Sequence, residues 1–254
     1  MATTVSDSGN IYLYAIIKGA GEKGFEVKGL FDSDVFTITE KDISAVVSEI
    51  PTTDKLRPER KHLAAHQRVL THLVEHEDVV LPVSFGTVAD RAKGIRVMLS
   101  KYYKSFGEQI ERISGRLEME LRVTYEVPNV FEYFVEKYPD LKAERDQVYK
   151  GNGEPNRDQK IQIGQLFEQV QSQDREQLTS MVEEKLRQSC AEIKRNSPRN
   201  EKEVMRISCL LDKDAMDGFQ SALDDASEQF DDNFVFEYNG PIPPYNFVDV
   251  RVQM

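Results

Sequence analysis

The chain has 254 residues, 39% hydrophobic and 30% charged, and 33 Lys and Arg against 44 Asp and Glu leave a formal charge of −11. That length has room for two domains of ordinary size, and 13 Phe and 10 Tyr supply core material in the absence of Trp, which excludes a chain disordered throughout. The acidic balance repels phosphate backbones and anionic headgroups, and no apolar run reaches the roughly 20 residues that span a bilayer, so neither nucleic acid nor membrane is an expected partner. Residues 1–10 lack a signal-peptide layout, and the expected location is the cytoplasm.

Residues 11–17 form a short apolar run with β-branched and aromatic side chains. Residues 35–38 and 43–48 have the same chemistry, so three strands are expected before the first helix. After the first strand, Gly19-Ala20-Gly21-Glu22-Lys23-Gly24 spells GxGxxG, with Glu40 and Asp42 about 20 residues further on. A dinucleotide site needs the third glycine to open a helix whose amides hold the pyrophosphate. The stretch from Phe25 to Leu30 has no helix start and a further break at Gly29, so a flexible glycine loop is expected.

A helix follows over residues 58–77, opened by Pro58, with Leu63, Ala65, Val69, Leu70 and Leu73 on one face. It carries all four histidines, as the i, i+4 pairs His62 and His66, His72 and His76. The helical rise separates the pairs by about 15 Å, so they cannot share one ion. With no HExxH, and with His66 in the sector of Val69 and Leu73, no metal is expected and His66 reads as a hydrogen-bonded core histidine. Residues 79–83 read as a Pro-bearing strand. Ser84 beyond it lacks the Gly-x-Ser-x-Gly elbow of a nucleophile, and residues 90–114 read as a second helix with Ile95, Met98, Phe106, Ile110 and Ile113 inward.

From Leu117 to Tyr125, apolar residues alternate with Glu118, Glu120, Arg122 and Thr124, the pattern of a strand with one buried and one wet face in an antiparallel sheet. Residues 150–160, with Gly151, Gly153 and Pro155 among charges, suggest a mobile connector. Ile163, Leu166, Phe167 and Val170, then Leu178, Met181, Val182, Leu186 and Ile193, keep helical spacing on either side of a polar interval at 171–177, which leaves one long helix or two. The last third reads as strand 204–211, helix 214–230 and strand 233–238. Asp212, Asp214, Asp217, Asp224, Asp225, Asp231 and Asp232 do not fit an EF-hand and read as solvated surface. Cys190 on a predicted helix and Cys209 on a predicted strand fall in unrelated contexts and read as buried apolar thiols.

This order of elements indicates an α+β chain: an N-terminal domain over 1–114, a C-terminal ferredoxin-like sandwich over 115–238, and an extended tail over 239–254. In the tail, Asn239-Gly240 supplies a turn, while Pro241, Pro243 and Pro244 fix the backbone and remove amide donors, so the segment cannot be helix or central strand. Tyr238, Pro243, Pro244, Tyr245, Asn246 and Phe247 form the candidate partner-binding surface; equally, the tail wraps its own protein.

The string from Gly240 to Val248 resembles Gly-Pro-x-Pro-Pro-Tyr-x-Phe-Val, the closing signature of the gas vesicle protein F/L family, with Ile242 where Trp is usual. The stretch from Val80 to Val88 is similar to that family's Leu-Pro-x-x-Phe-Gly-Thr-Val segment, with Ser84 where Arg is common. Length, helix order and the opening strand also fit, so the resemblance covers nearly the whole chain. It implies a modified ferredoxin-like N-terminal domain and a ferredoxin-like C-terminal one. It further implies a minor structural component or assembly factor of the gas vesicle, within the cytoplasm, whose partner is the small hydrophobic shell protein (GvpA type), held back from premature aggregation. Binding to other gas vesicle accessory proteins is a second role open to such a chain. No convergent reactive side chains stand out, so no catalytic residue and no cofactor is expected. The rival reading is a small-molecule or nucleotide-dependent enzyme using the Gly19 to Gly24 loop or the histidine-bearing helix.

Overall fold

A computed structural model describes residues 9–51, 56–150 and 156–249. Along them run β1 (Asn10–Lys18), β2 (Gly24–Lys28), β3 (Asp34–Glu40), β4 (Ile43–Ile50), α1 (Arg60–His76), β5 (Val80–Pro82), β6 (Val88–Ala89), α2 (Ala92–Lys101) and α3 (Tyr103–Ile113). There follow β7 (Arg116–Tyr125), α4 (Val130–Lys137), α5 (Pro139–Tyr149), α6 (Arg157–Leu186), β8 (Glu192–Asn196), β9 (Glu203–Asp212), α7 (Met216–Ser227) and β10 (Phe234–Ile242). The class is α+β. The chain divides into two compact units, one of residues 1–119, 210–213 and 240–254, the other of residues 120–209 and 214–239. The first unit thus gathers the C-terminal segment as well as the N-terminal stretch, and β10 continues through Gly240 and Pro241 to Ile242.

Six strands of the first unit form one sheet, in the order β2-β3-β4-β1-β5, with β6 also paired to β1. β1 is antiparallel to β4, β5 and β6, and its side chains explain its central place. Ile11 and Leu13 enter a buried cluster with Ile95 and Leu99 of α2 and Phe106 and Ile113 of α3. Tyr12 enters the cluster on the other side, with Val69, Leu70 and Leu73 of α1. Alternation breaks at a register shift between Leu13 and Ala15, where a bulge sets Tyr14 and Ala15 in succession among the α1 contacts before Ile16 returns to the other side. The sheet is therefore covered on both faces.

Four strands, not three, precede α1, because β2 is a short edge strand of Gly24, Phe25, Glu26, Val27 and Lys28 with no fully buried residue to mark it in the sequence. The helix expected over 90–114 is two helices that meet at Tyr102, whose ψ of 13° opens the turn between them.

The remaining strands form a four-stranded sheet in the order β10-β7-β9-β8, with the chain running β-α-β-β-α-β and α4, α5 and α6 together filling the first helical place. β10 lies at the edge, the position in a sheet that tolerates Pro241. The polar interval at 171–177 does not interrupt α6, which is one helix of 30 residues. Gln171 and Asp174 are both buried there and both partnered. Gln171 Nε2 donates to the Glu201 carbonyl at 2.9 Å. Asp174 accepts from Tyr125 at 3.1 Å, from Lys137 at 2.7 Å and from the Tyr138 hydroxyl. The helix opens on an Asn156 and Gln159 capping box, so residues 157–160, expected in a connector, are helical; residues 151–155 lie outside the described residues. Ile193, expected on this helix, is on β8 instead.

Candidate functional site

The site begins with two buried tyrosines on β1, because a phenol can enter a core only if its hydroxyl finds a partner there. Tyr14 Oη accepts from the Leu30 amide at 2.8 Å and bonds Ser48 Oγ at 2.8 Å. A Cβ at Gly29 would stand 2.2 Å from that hydroxyl oxygen, so only glycine fits beside it. Tyr12 Oη accepts from the Gly86 amide at 3.1 Å and bonds His66 Nδ1 at 2.9 Å. Gly86 has φ of +88°, a conformation that favours glycine, and the turn is closed by Thr87 Oγ1 donating to the Ser84 carbonyl at 2.8 Å. The Phe85-Gly86-Thr87 segment thus presents an amide to a core tyrosine.

His66 lies at the centre of this arrangement. It is buried, lies nearly parallel to Tyr14 at 5.6 Å between ring centroids, and meets Phe85 edge-on at 5.8 Å. Its Nε2 is 3.2 Å from Tyr245 Oη in the C-terminal segment. Burial lowers its pKa to about 4, against an opposing bond with the Val83 backbone, so the ring is neutral at pH 7. The Gly86 amide donates to Tyr12 Oη, which bonds His66 Nδ1, and His66 Nε2 bonds Tyr245 Oη; a neutral imidazole donates through one ring nitrogen and accepts through the other. Burial, and secondarily Glu118, pushes the Tyr245 phenol's pKa up, so it stays protonated.

The C-terminal segment is held by the first unit itself. Pro243 and Pro244 are buried, Phe247 is fully buried, and Val248 packs against the cluster under α2 and α3. Arg112 donates to the Phe247 carbonyl at 2.9 Å. Glu118 accepts from the Asn246 amide at 2.9 Å and from Asn246 Nδ2 at 2.5 Å. Glu118 was expected on the wet face of its strand; it is fully buried, because this segment covers it and supplies its donors. Of the six residues proposed from sequence as a partner surface, Pro243, Pro244 and Phe247 therefore face inward, while Tyr238, Tyr245 and Asn246 are exposed.

Where α1, the turn after β5 and the C-terminal segment meet, they leave an open, mainly apolar groove of about 770 Å³. Leu63, Ala64 and Gln67 form one wall, Ser84 and Phe85 another, and His66 and Tyr245 lie between. Leu63, expected on one face with Ala65, Val69, Leu70 and Leu73, is 43% exposed while those four are buried, so it stands apart from the inward face of α1.

The other sequence candidates are dispersed. The Gly19 to Gly24 loop leads into a strand, and its carbonyls are taken by strand hydroxyls: Ser44 to Gly19, and Thr37 and Thr39 to Gly21. His62 bonds the Arg57 carbonyl, and His76 stacks on His72 at 4.2 Å. Among the described residues no group of three or more His, Cys, Asp or Glu is placed to hold a metal ion. Asp212 pairs with Arg116, and Asp224 with Gln220. Cys190 lies in the turn before β8, not on a helix, and its thiol hydrogen-bonds with Cys209, so the two cysteines share one context.

The buried imidazole makes stability depend on pH. Above about pH 6.5 neither folded nor unfolded His66 carries a proton; below it the unfolded chain binds one that the folded chain refuses until about pH 4. Stability should therefore fall with pH across that window, by about 3 kcal/mol in total. Urea titrations at pH 7 and pH 4.5 should show a smaller drop for His66→Gln than for the parent chain; equal drops would mean that His66 titrates normally.

A model for the family described as gas vesicle synthesis protein GvpL/GvpF matches residues 10–249. The chain is 26% identical to gas vesicle protein F1 of Halobacterium salinarum over 246 residues, 96% of this chain and 94% of that one. It is 26% identical to gas vesicle protein F of a Streptomyces species over 207 residues, 82% and 84% of the two chains. Its fold is similar to the crystal structure of the gas vesicle protein GvpF from Anabaena sp. PCC7120, with a TM-score of 0.82 at 22% identity, covering 96% of this chain and all of that one.

Proposed function

The chain belongs to the gas vesicle synthesis protein GvpL/GvpF family, and from that premise we propose that its groove holds an apolar segment of the small hydrophobic gas vesicle shell protein. By occupying that segment, it limits the shell protein's association before assembly. The observation that carries this reading is the convergence of three separate stretches of chain on one open apolar groove, with Leu63 exposed on its wall. An exposed leucine beside half-buried Phe85 and exposed Tyr245 offers area that a partner's apolar side chains can cover. The formal charge of −11 keeps such a complex soluble while the apolar partner is held. Among the described residues no helix is long and apolar enough to cross a membrane.

Truncation at Tyr238 does not test this, because it also strips Phe247 from the core. Leu63→Glu does: the site is exposed, so the fold tolerates it, while a charge in the groove should reduce capture of the shell protein about tenfold or more. Capture equal to that of the parent chain would remove the groove from the contact.

A further inference from the structure

Cys190 and Cys209 are the two cysteines of the chain, and neither is in a disulfide. Cys209 is fully buried on β9, an inner strand of the four-stranded sheet. Cys190 is only partly buried, in the turn that leads from the end of α6 into β8, the strand beside β9. The two side chains are hydrogen-bonded to each other within one compact unit. We propose that Cys190 and Cys209 are a reactive dithiol that closes reversibly to an intramolecular disulfide.

Three features favour closure. The two side chains are already hydrogen-bonded and β8 lies beside β9, so reaching a bond of about 2.05 Å asks for a local movement. That movement falls to the Cys190 turn, because Cys209 is fixed on its inner strand. The roles are unequal as well: the hydrogen bond with Cys209 favours the Cys190 thiolate, which burial opposes, and Cys190 is also the more accessible of the two residues.

The chemistry needs a low-molecular-weight disulfide or a peroxide as oxidant. With a disulfide RSSR, the Cys190 thiolate attacks one sulfur, forms a mixed disulfide and expels RS⁻. Cys209 then gives up its proton and attacks the Cys190 sulfur, releasing the second thiol as RS⁻. The protein loses two hydrogens as two protons and two electrons, and the oxidant is reduced to two thiols. With a peroxide, Cys190 passes through a sulfenic acid that Cys209 resolves with loss of water. The closed bond ties the turn after α6 to β9.

Intact mass of the full chain decides the matter, after exposure to glutathione disulfide or hydrogen peroxide and alkylation with a maleimide under denaturing conditions. The expected result is a loss of two hydrogens, no maleimide uptake, and recovery of both thiols with dithiothreitol; Cys209→Ser should instead keep a glutathione adduct on Cys190. Uptake of two maleimides by the oxidised parent chain, or a stable adduct at Cys190 without closure, would overturn the proposal. Should Cys209→Ser not fold, the parent chain's mass still decides. Cys190→Ser should then leave Cys209 inert to glutathione disulfide, and a Cys209 that reacts alone would count against the assigned roles.

Discussion

Phe247→Ala should destabilise the first unit by about 3–5 kcal/mol, the range for removing a fully enclosed phenylalanine. A residue in a proline-rich segment beyond the last strand would normally cost little to truncate. Here the ring is fully buried, its carbonyl accepts from Arg112, and its neighbour Asn246 provides two donors to the buried Glu118. The loss should appear as a lower urea midpoint with an unchanged slope. Phe247→Leu, which keeps most of the volume, should lose much less. A cost below about 1 kcal/mol for the alanine form would mean that the segment rests on the surface without completing the core.

Asp174→Ala should cost the second unit about 3 kcal/mol, the low end of the range for breaking a buried ion pair, because Lys137 keeps 36% of its side chain in water. Truncation leaves Tyr125, Tyr138 and Lys137 without their shared acceptor. Burial and then the Asp174 charge already push the Tyr125 phenol well above its ordinary range, so Tyr125 cannot compensate by ionising. The loss should be accompanied by faster amide exchange in the middle of α6. Asp174→Asn keeps an acceptor and should be milder. An alanine form as stable as the parent would show that α6 is held by its apolar residues alone.

What was legible in the sequence is what periodicity encodes. Leu63 to Leu73 gave α1, the Leu117 to Tyr125 alternation gave β7, and the apolar face from Phe219 to Ala226 gave α7, so the α+β class followed. Elements with weak local signals did not show: β2, β6 and β8 are short, and nothing at residues 100–104 announces a break, since no proline or glycine stands there. The groove was only partly legible. The proline-rich closing string was visible because it demands a special backbone, the stretch from Val80 to Val88 stood out only as a family resemblance, and His66 read as a core histidine from its sector on α1. Their meeting was not visible, because His66 and Tyr245 are 179 positions apart and Glu118 and Asn246 are 128 apart. Local pattern put Glu118 on a solvated face, and only the distant segment that covers it explains its burial. Cys190 and Cys209 were separated for the same reason, since their contact arises from strand order in the sheet. Two buried tyrosines on β1 were the one overlooked signal, because each requires a hydroxyl partner and so points to a polar group across the core.

The groove as a docking surface is tested most directly by the affinity of the purified shell protein, or its apolar segment, for the parent chain and for Leu63→Glu at matched stability. A drop of about tenfold or more with the glutamate, alongside an unaltered urea midpoint, is the expected result. Equal affinities for the two chains would contradict it.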